Sequence, residues 1–146
     1  MSNEQQQQLQ SFAYQLRQME AQLNAITNQE NSIAKVIIES RNAMEALQQF
    51  IEFKKSKDSE FMLPIGAGVL IKITQPASDT SLINVGSDIL IEKNMSEIIK
   101  DLELRIKNLE TSIMEFQKQR FALEKQVTIG RNHLSSMMQN QNVTPT

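Results

Sequence analysis

The residue types that most often carry catalysis are sparse in this chain, and their spacing does not assemble a reactive site. The single histidine, His133, lies near the end of a predicted helix, and the chain contains no cysteine. A metal ligand or a general base needs partners that are missing around it, so a solvated surface histidine is the favoured interpretation. The carboxylates are scattered over the outer positions of predicted helices, without a pair suited to acid–base chemistry. The sequence therefore predicts a protein that is not an enzyme.

One glycine-containing stretch, Gly66-Ala67-Gly68, superficially matches a phosphate-binding loop. Such loops lead into the N-terminus of a helix, where free N–H groups and the helix dipole bind the anion. Here a predicted β-strand follows the glycines. We therefore predict a hairpin turn at this position, and we expect no cofactor.

The composition limits the remaining classes of function. The chain has 146 residues, the length of about one domain, with 15 basic and 17 acidic residues. This balance argues against nucleic acid as a partner, because a nucleic-acid surface normally has a basic surplus. Its apolar runs are too short for a membrane span, and its start does not have the pattern of a signal peptide. The absence of cysteine fits a reducing compartment, so we expect a cytoplasmic protein.

The first half of the chain has the pattern of a long coiled-coil helix. Apolar residues recur at alternating spacings of three and four over Leu9–Ile51, interrupted only by Glu30 and Ser40. Neither glycine nor proline occurs before Pro64. The spacing predicts helix 1 over about residues 4–57.

The last third of the chain repeats this pattern. The spacing runs over Ile99–Met137, interrupted only by Arg120 and Gly130. Asn94 is a suitable N-cap, because its side-chain oxygen can accept a hydrogen bond from the first turn. These signals predict helix 2 over about residues 95–139.

Between the helices, residues of about 60–93 have the pattern of two β-hairpins. Apolar side chains alternate with others over 69–74, as expected for a half-buried strand. Turn residues at 66–68 and 86–88 complete the two hairpins, although the turn type at Asp88 stays open. The predicted class is therefore α+β and mainly α, a single domain over 1–146 in which a long antiparallel coiled-coil hairpin carries two central β-hairpins.

An antiparallel pairing of the two helices leads to two further predictions. Its layers put Gly130 opposite Leu23 and leave a weak layer near the open end. They also put Glu30 one layer from Arg120. These two charged side chains either pair across the interface, which would help to fix the register, or extend separately into solvent.

The end of the coiled coil away from the β-hairpins is rich in methionine and other large apolar residues. A two-stranded coil leaves its seam partly exposed, and we expect the helices to separate beside Gly130. Flexible, polarizable surface of this kind suits binding to varied partners, although plain coiled-coil core is the alternative. The residues assigned to this binding surface are Leu9, Phe12, Leu16, Met19, Leu134, Met137 and Met138.

The β-hairpins predict an oligomer. Four short strands cannot close a barrel alone, and open sheet edges require partners. The chain should therefore assemble through its β insert and leave its helical arms free. The residues assigned to this assembly surface are Phe61, Leu63, Pro64, Ile65, Gly66, Gly68, Val69, Ile71, Val85, Gly86, Ile89 and Ile91.

The whole chain resembles the alpha class of the prefoldin family, of the archaeal kind. The most specific stretches are Leu63–Val69 and Val85–Asn94, together with the presence of two hairpins where the beta class has one. Asp88 is a departure, because the family often has a second glycine there. Asp tolerates left-handed turn geometry, so the hairpin is expected to be retained.

The resemblance implies an ATP-independent holding chaperone. Two alpha and four beta subunits would assemble through their hairpins into a β-barrel platform with six coiled-coil arms. The tips of the arms would bind unfolded polypeptides and deliver them to a group II chaperonin. The implied partners are therefore beta-class prefoldin subunits, unfolded client proteins and the chaperonin.

A structural coiled-coil spacer or adaptor that merely dimerises is the alternative from a different class, and an enzyme is a more distant one. A spacer needs no paired hairpins and should keep strong core residues to its ends. Gly130 and the methionine cluster near one end favour the chaperone.

Overall fold

The computed structural model describes residues 2–55, 60–74 and 78–142, with only the backbone at 141 and 142. Its elements are α1 (Asn3–Lys55), β1 (Phe61–Gly66), β2 (Val69–Ile73), β3 (Thr80–Asn84), β4 (Leu90–Asn94) and α2 (Met95–Asn142). The predicted class, two long helices with two β-hairpins between them, is confirmed. The predicted end of helix 1 lies outside the described residues, and α2 continues three residues beyond the predicted 139.

The strands form two separate antiparallel hairpins, β1 with β2 and β3 with β4. Their turns have the same backbone geometry, with φ of 117°, 51° and 75° over 66–68 and 118°, 50° and 59° over 86–88. In the second turn the Ile89 N–H donates to the Gly86 carbonyl at 3.0 Å, and the two central residues both have positive φ. That combination is typical of a type I′ hairpin turn. Asp88 thus takes the left-handed conformation of Gly68, which answers the question of its turn type.

The entry into α2 is fixed by local hydrogen bonds. Asn94 Oδ1 accepts a hydrogen bond from the Ser96 N–H at 3.0 Å, which confirms the predicted N-cap. The Met95 N–H donates to the Asp79 carbonyl at 3.0 Å. Lys93 Nζ lies 2.8 Å from Asp101 Oδ2, and this hydrogen bond raises the pKa of Lys93. The second hairpin is therefore joined to the first turns of α2.

The chain forms two compact units, each with part of both helices. The terminal unit comprises Met1–Ala34 and Thr111–Thr146, and the hairpin unit comprises Lys35–Glu110. Within the hairpin unit, the Phe61 ring of β1 lies 4.2 Å from Phe50 and 5.8 Å from Phe53 of α1, measured between centroids. The buried apolar side chains of this unit are Ile37, Phe53, Met95, Ile98, Leu102 and Ile106.

The two helices of the terminal unit run antiparallel. Arg120 contacts Glu30, whereas Arg131, farther along α2, contacts Glu20, nearer the start of α1. Val127 is buried between them. This arrangement is the predicted coiled-coil pairing.

The two seam charges pair, so the alternative in which each extends separately into solvent is wrong. Arg120 Nε donates to both carboxylate oxygens of Glu30, at 2.9 and 3.1 Å. Arg120 Nη1 donates to Glu124 Oε1 at 2.9 Å. The hydrogen bonds to Glu124 and Glu30 and the negative charge of both carboxylates raise the pKa of Arg120. The Glu30 side chain is 12% exposed, so this pair lies partly inside the interface.

The expected position of Gly130 opposite Leu23 is wrong. Gly130 is buried, and a Cβ added there would lie 2.9 Å from Leu16 Cδ1 and 3.9 Å from both Met19 Cε and Phe12 Cζ. The expected weak layer is therefore a close approach, in which the missing side chain leaves room for Leu16. The seam spacing predicts the apolar face of each helix, but it does not predict this offset between them.

We predict that Glu30→Gln and Arg120→Gln are coupled. Each substitution should lower the melting temperature by a few degrees, because Arg120→Gln removes the cation that Glu30 binds and Glu30→Gln leaves Arg120 with Glu124 alone. The double mutant should lose less than the sum of the two single mutants. Glu20→Gln and Arg131→Gln provide the matched control, because that pair lies at 2.8 Å but is more exposed. Equal coupling in the two thermal-melt cycles would contradict a role for partial burial.

We predict that the effect of Gly130→Ala depends on Leu16. Alanine is favoured over glycine in a helix by about 1 kcal/mol, yet the added methyl would collide with the Leu16 side chain. The substitution should bring no gain in the parent chain and about 1 kcal/mol in a Leu16→Ala background. Urea unfolding measures both free energies, with Leu23→Ala as the control background. If Leu23→Ala rather than Leu16→Ala restores the gain, the observed contact is not the one that matters.

Candidate functional surfaces

The histidine and the acidic side chains of the described residues do not form a metal-binding cluster. Across residues 2–55, 60–74 and 78–142, no group of three or more His, Cys, Asp and Glu side chains has an arrangement that could hold a metal ion. His133 is exposed, with its ring edge-on to Phe12 at 5.1 Å between centroids. In the same part of the chain, neither helix contains an apolar stretch long enough to cross a membrane. The exposed apolar surfaces of the hairpins and of the terminal unit are the candidate sites.

Most residues of the predicted assembly surface are exposed in the single chain. Phe61 and Leu63 are half-buried. The remaining ten are exposed: Pro64, Ile65, Gly66, Gly68, Val69, Ile71, Val85, Gly86, Ile89 and Ile91. The cross-strand pairs Leu63–Ile71 and Ile83–Ile91 put apolar side chains beside each other within each hairpin. Each hairpin thus presents a continuous apolar surface.

The predicted half-burial of these strands is not observed, and both hairpins expose apolar side chains on their two faces. Leu70 follows Val69 and precedes Ile71 in β2, and all three are exposed. Because successive strand residues point to opposite faces, neither face of β2 is covered. Four further apolar residues of the hairpins that are not among the predicted assembly residues are also exposed, Met62, Leu70, Leu82 and Leu90. In the sequence, these residues stand in runs of consecutive apolar residues, whereas a strand with one covered face would alternate apolar and polar residues.

The edges of the hairpins add to this surface. In the described part of the chain each strand pairs on one side only, with its own hairpin partner. The other edge presents backbone N–H and C=O groups that a further strand can pair with. Two-stranded sheets with two apolar faces and free edges are suited to assembly with other chains.

The predicted binding residues of the terminal unit are less exposed than a separated tip requires. Leu16 is 5% exposed and packs over Gly130 beside Phe12 and Met19. Leu9, Phe12, Met19, Leu134 and Met137 are half-buried, and Met138 is exposed. The structure therefore brings three of the seven together around Gly130, and the expected separation of the helices beside this glycine is not observed.

A more exposed apolar surface of the terminal unit lies on the outer face of α2. We define the outer stripe as Met114, Lys118, Phe121, Lys125 and Ile129. Phe121 is 59% and Ile129 is 68% exposed. Lys125 Nζ lies 4.4 Å from the centroid of the Phe121 ring. The apolar members fall outside the seam spacing but recur every seven or eight residues, which puts them on one helix face. This second spacing is the feature of the sequence that could have identified the outer stripe.

The comparisons with known proteins agree on one family. Residues 19–139 match the family model of prefoldin, described as prefoldin subunit. Prefoldin subunit alpha 1 of Methanocaldococcus jannaschii is 30% identical over 118 residues, which cover 81% of this chain and 79% of that protein. Prefoldin subunit alpha of Nitrosopumilus maritimus is 28% identical over 140 residues, covering 95% of this chain and 92% of that protein.

Two further similarities extend this result. Prefoldin subunit alpha of Pyrococcus horikoshii is 28% identical over 135 residues, covering 92% of this chain and 88% of that protein. The cryo-EM structure of filamentous PFD from M. jannaschii has a TM-score of 0.58 at 19% identity, covering 77% of this chain and 92% of that chain. The similarity to this cryo-EM structure is a similarity of fold. From the family match and its relatives, this chain belongs to the prefoldin family, as an alpha subunit of the archaeal type.

Proposed function

We propose that the chain is an alpha subunit of an ATP-independent cytoplasmic chaperone that holds unfolded polypeptides and delivers them to a group II chaperonin. Family membership supports a chaperone-type role. The observation that carries the proposal is the large exposed apolar surface of both hairpins. A holding chaperone needs two such surfaces, one for assembly and one for clients.

For assembly, the proposal is that the hairpins join beta-class subunits in a hexamer of two alpha and four beta chains. Both faces of the hairpins carry exposed apolar residues, and their outer edges are free to pair in the described chain. Burial of such residues against other hairpins would remove apolar area from water at about 25 cal/mol per Å². This gain supports the insert as the assembly platform.

For client binding, the proposal is that the terminal units of several subunits act together. One terminal unit offers half-buried apolar side chains and the exposed Met138, which is a small area. A single arm should therefore bind weakly and with little selectivity. Several arms on one platform would raise the apparent affinity by roughly 10²–10⁴ if a client spans them. Exposed glutamine and asparagine residues around these side chains keep the surface hydrated between clients.

We predict that Ile71→Asp together with Val85→Asp dissociates the assembly. Both side chains are exposed in the single chain, and an unpaired carboxylate buried in a platform would cost several kcal/mol. The helices should remain folded, which circular dichroism will show, while sedimentation should detect the loss of mass. Ile38→Asp with Leu104→Asp is the matched control, because these residues are also exposed apolar positions but lie on the helices. An intact oligomer in the hairpin variant would rule out the insert as the platform.

We predict that removal of residues 1–20 and 133–146 leaves the oligomer intact but strongly reduces protection of an unfolded client. The deletion removes all seven predicted binding residues and leaves the hairpins in place. The assay is aggregation of a denatured test protein in the absence of nucleotide. A structural spacer would fail this assay even at full length, whereas the proposed chaperone passes it. Equal protection by the truncated complex would show that the tips are not the client-binding site.

A further inference from the structure

We propose that the outer stripe is a second client-contact surface, and that it selects polypeptide segments in which carboxylates accompany large apolar side chains. The proposal rests on the proposed chaperone function and adds a place and a chemical class of segment to it. It concerns a face of α2 that the coiled-coil seam does not use.

The stripe is separate from the seam of the same helix. Val127 is 2% exposed, whereas Phe121 and Ile129, which lie within one or two turns of it, are more than half exposed. A shallow surface cavity of about 320 Å³ lies between these two side chains, and its other lining residues are Glu124, Lys125 and Thr128. The cavity has room for one large apolar side chain of a bound segment.

The charge on the stripe points to the class of segment. Its two charged members, Lys118 and Lys125, are both exposed, and neither takes part in a salt bridge among the described residues. Glu124 borders the stripe, but its carboxylate binds Arg120 at 2.9 Å. Lys125 lies over the Phe121 ring, so an approaching carboxylate would meet a cation directly above an apolar surface. The stripe therefore complements acidic rather than basic segments.

The dimensions favour a short segment over a second copy of the chain. Met114 and Ile129 are fifteen residues apart, or about 22 Å along the helix, a span that about seven residues of extended polypeptide cover. Met114, Phe121 and Ile129 are 57%, 59% and 68% exposed, so their complete burial would remove only roughly 350 Å² from water. This is below the roughly 800 Å² per partner of a stable protein interface. Weak, reversible contact with an unfolded client is what such an area supports.

The test uses the full-length chain in its assembled form and two fluorescent peptides of about ten residues, long enough to span the stripe. Both peptides carry the same leucine and phenylalanine residues, alternating with aspartate in one and with lysine in the other. Fluorescence anisotropy measures their Kd at low and high salt. The parent complex should bind the aspartate peptide about tenfold more tightly, with an advantage that decreases as salt screens the lysines.

Two variants of the stripe test the two contributions. Phe121→Gln with Ile129→Gln should weaken binding of the aspartate peptide by about tenfold. Lys118→Glu with Lys125→Glu should reverse the preference, so that the lysine peptide becomes the tighter ligand. The matched controls are Ile38→Gln with Leu104→Gln for the apolar change and Lys35→Glu with Lys100→Glu for the charge change. Neither control should alter either Kd, and glutamine keeps the helix propensity of the variants high.

Three outcomes overturn the proposal. They are unchanged binding in both stripe variants, equal effects in the stripe and control variants, and a stripe variant with a changed assembly mass, which would make the stripe an interface between copies. A parallel aggregation assay separates the two levels of inference. If the stripe variants bind peptide as the parent does while the parent still protects an unfolded protein, only the stripe is wrong. If the parent complex protects no client, the proposed function itself fails.

Discussion

Two long helices that pack mainly against each other bury one narrow stripe on each, and much of the exposed apolar surface of this chain follows from that limit. In α2, Ile98, Leu102 and Ile106 are buried in the hairpin unit. Leu104, between two of them, is exposed because no third layer covers its face. An apolar residue on such an uncovered face therefore stays exposed in the single chain. The seam holds the helices together, and the apolar residues away from it contribute to the surface unless the hairpins cover them, as they cover Phe53.

The apolar side chains of the two hairpins are exposed for a related reason. A two-stranded sheet has no opposite layer, so its apolar side chains stay exposed unless a helix or another chain covers them. The base of the first hairpin is covered in this way, because Phe61 packs on Phe50 and Phe53. Two tight turns with left-handed residues then fix the strand register, although the side chains beyond the base have little packing of their own. The apolar surface of the insert is therefore kept in order by the contacts at its base and by its two turns.

Local signals in the sequence predict the helices and strands, whereas the incorrect predictions concern how these elements contact one another. Asn94 caps α2 as predicted, because a cap depends on residues one or two positions away. The pairing of Glu30 with Arg120 does not follow from the spacing alone, since long charged side chains can reach either a partner or solvent. The partner of Gly130 was wrong because a periodic pattern shows which face of a helix is apolar, but not which turn of the other helix it meets. The exposure of Leu70 was missed for a similar reason, since strand alternation does not show whether a covering layer exists.

Gly130 also explains why the apolar surface of the terminal unit is not where the seam pattern puts it. A glycine within a helix costs about 1 kcal/mol relative to alanine, but its missing side chain lets Leu16 approach and become buried. Leu16 then contributes to the stability of the coiled coil and is removed from the accessible surface. The exposed apolar residues that remain, Tyr14, Met138 and the apolar members of the outer stripe, lie off the side chains that pack around Gly130. The residues that stabilise this coiled coil are therefore largely distinct from those that it leaves exposed.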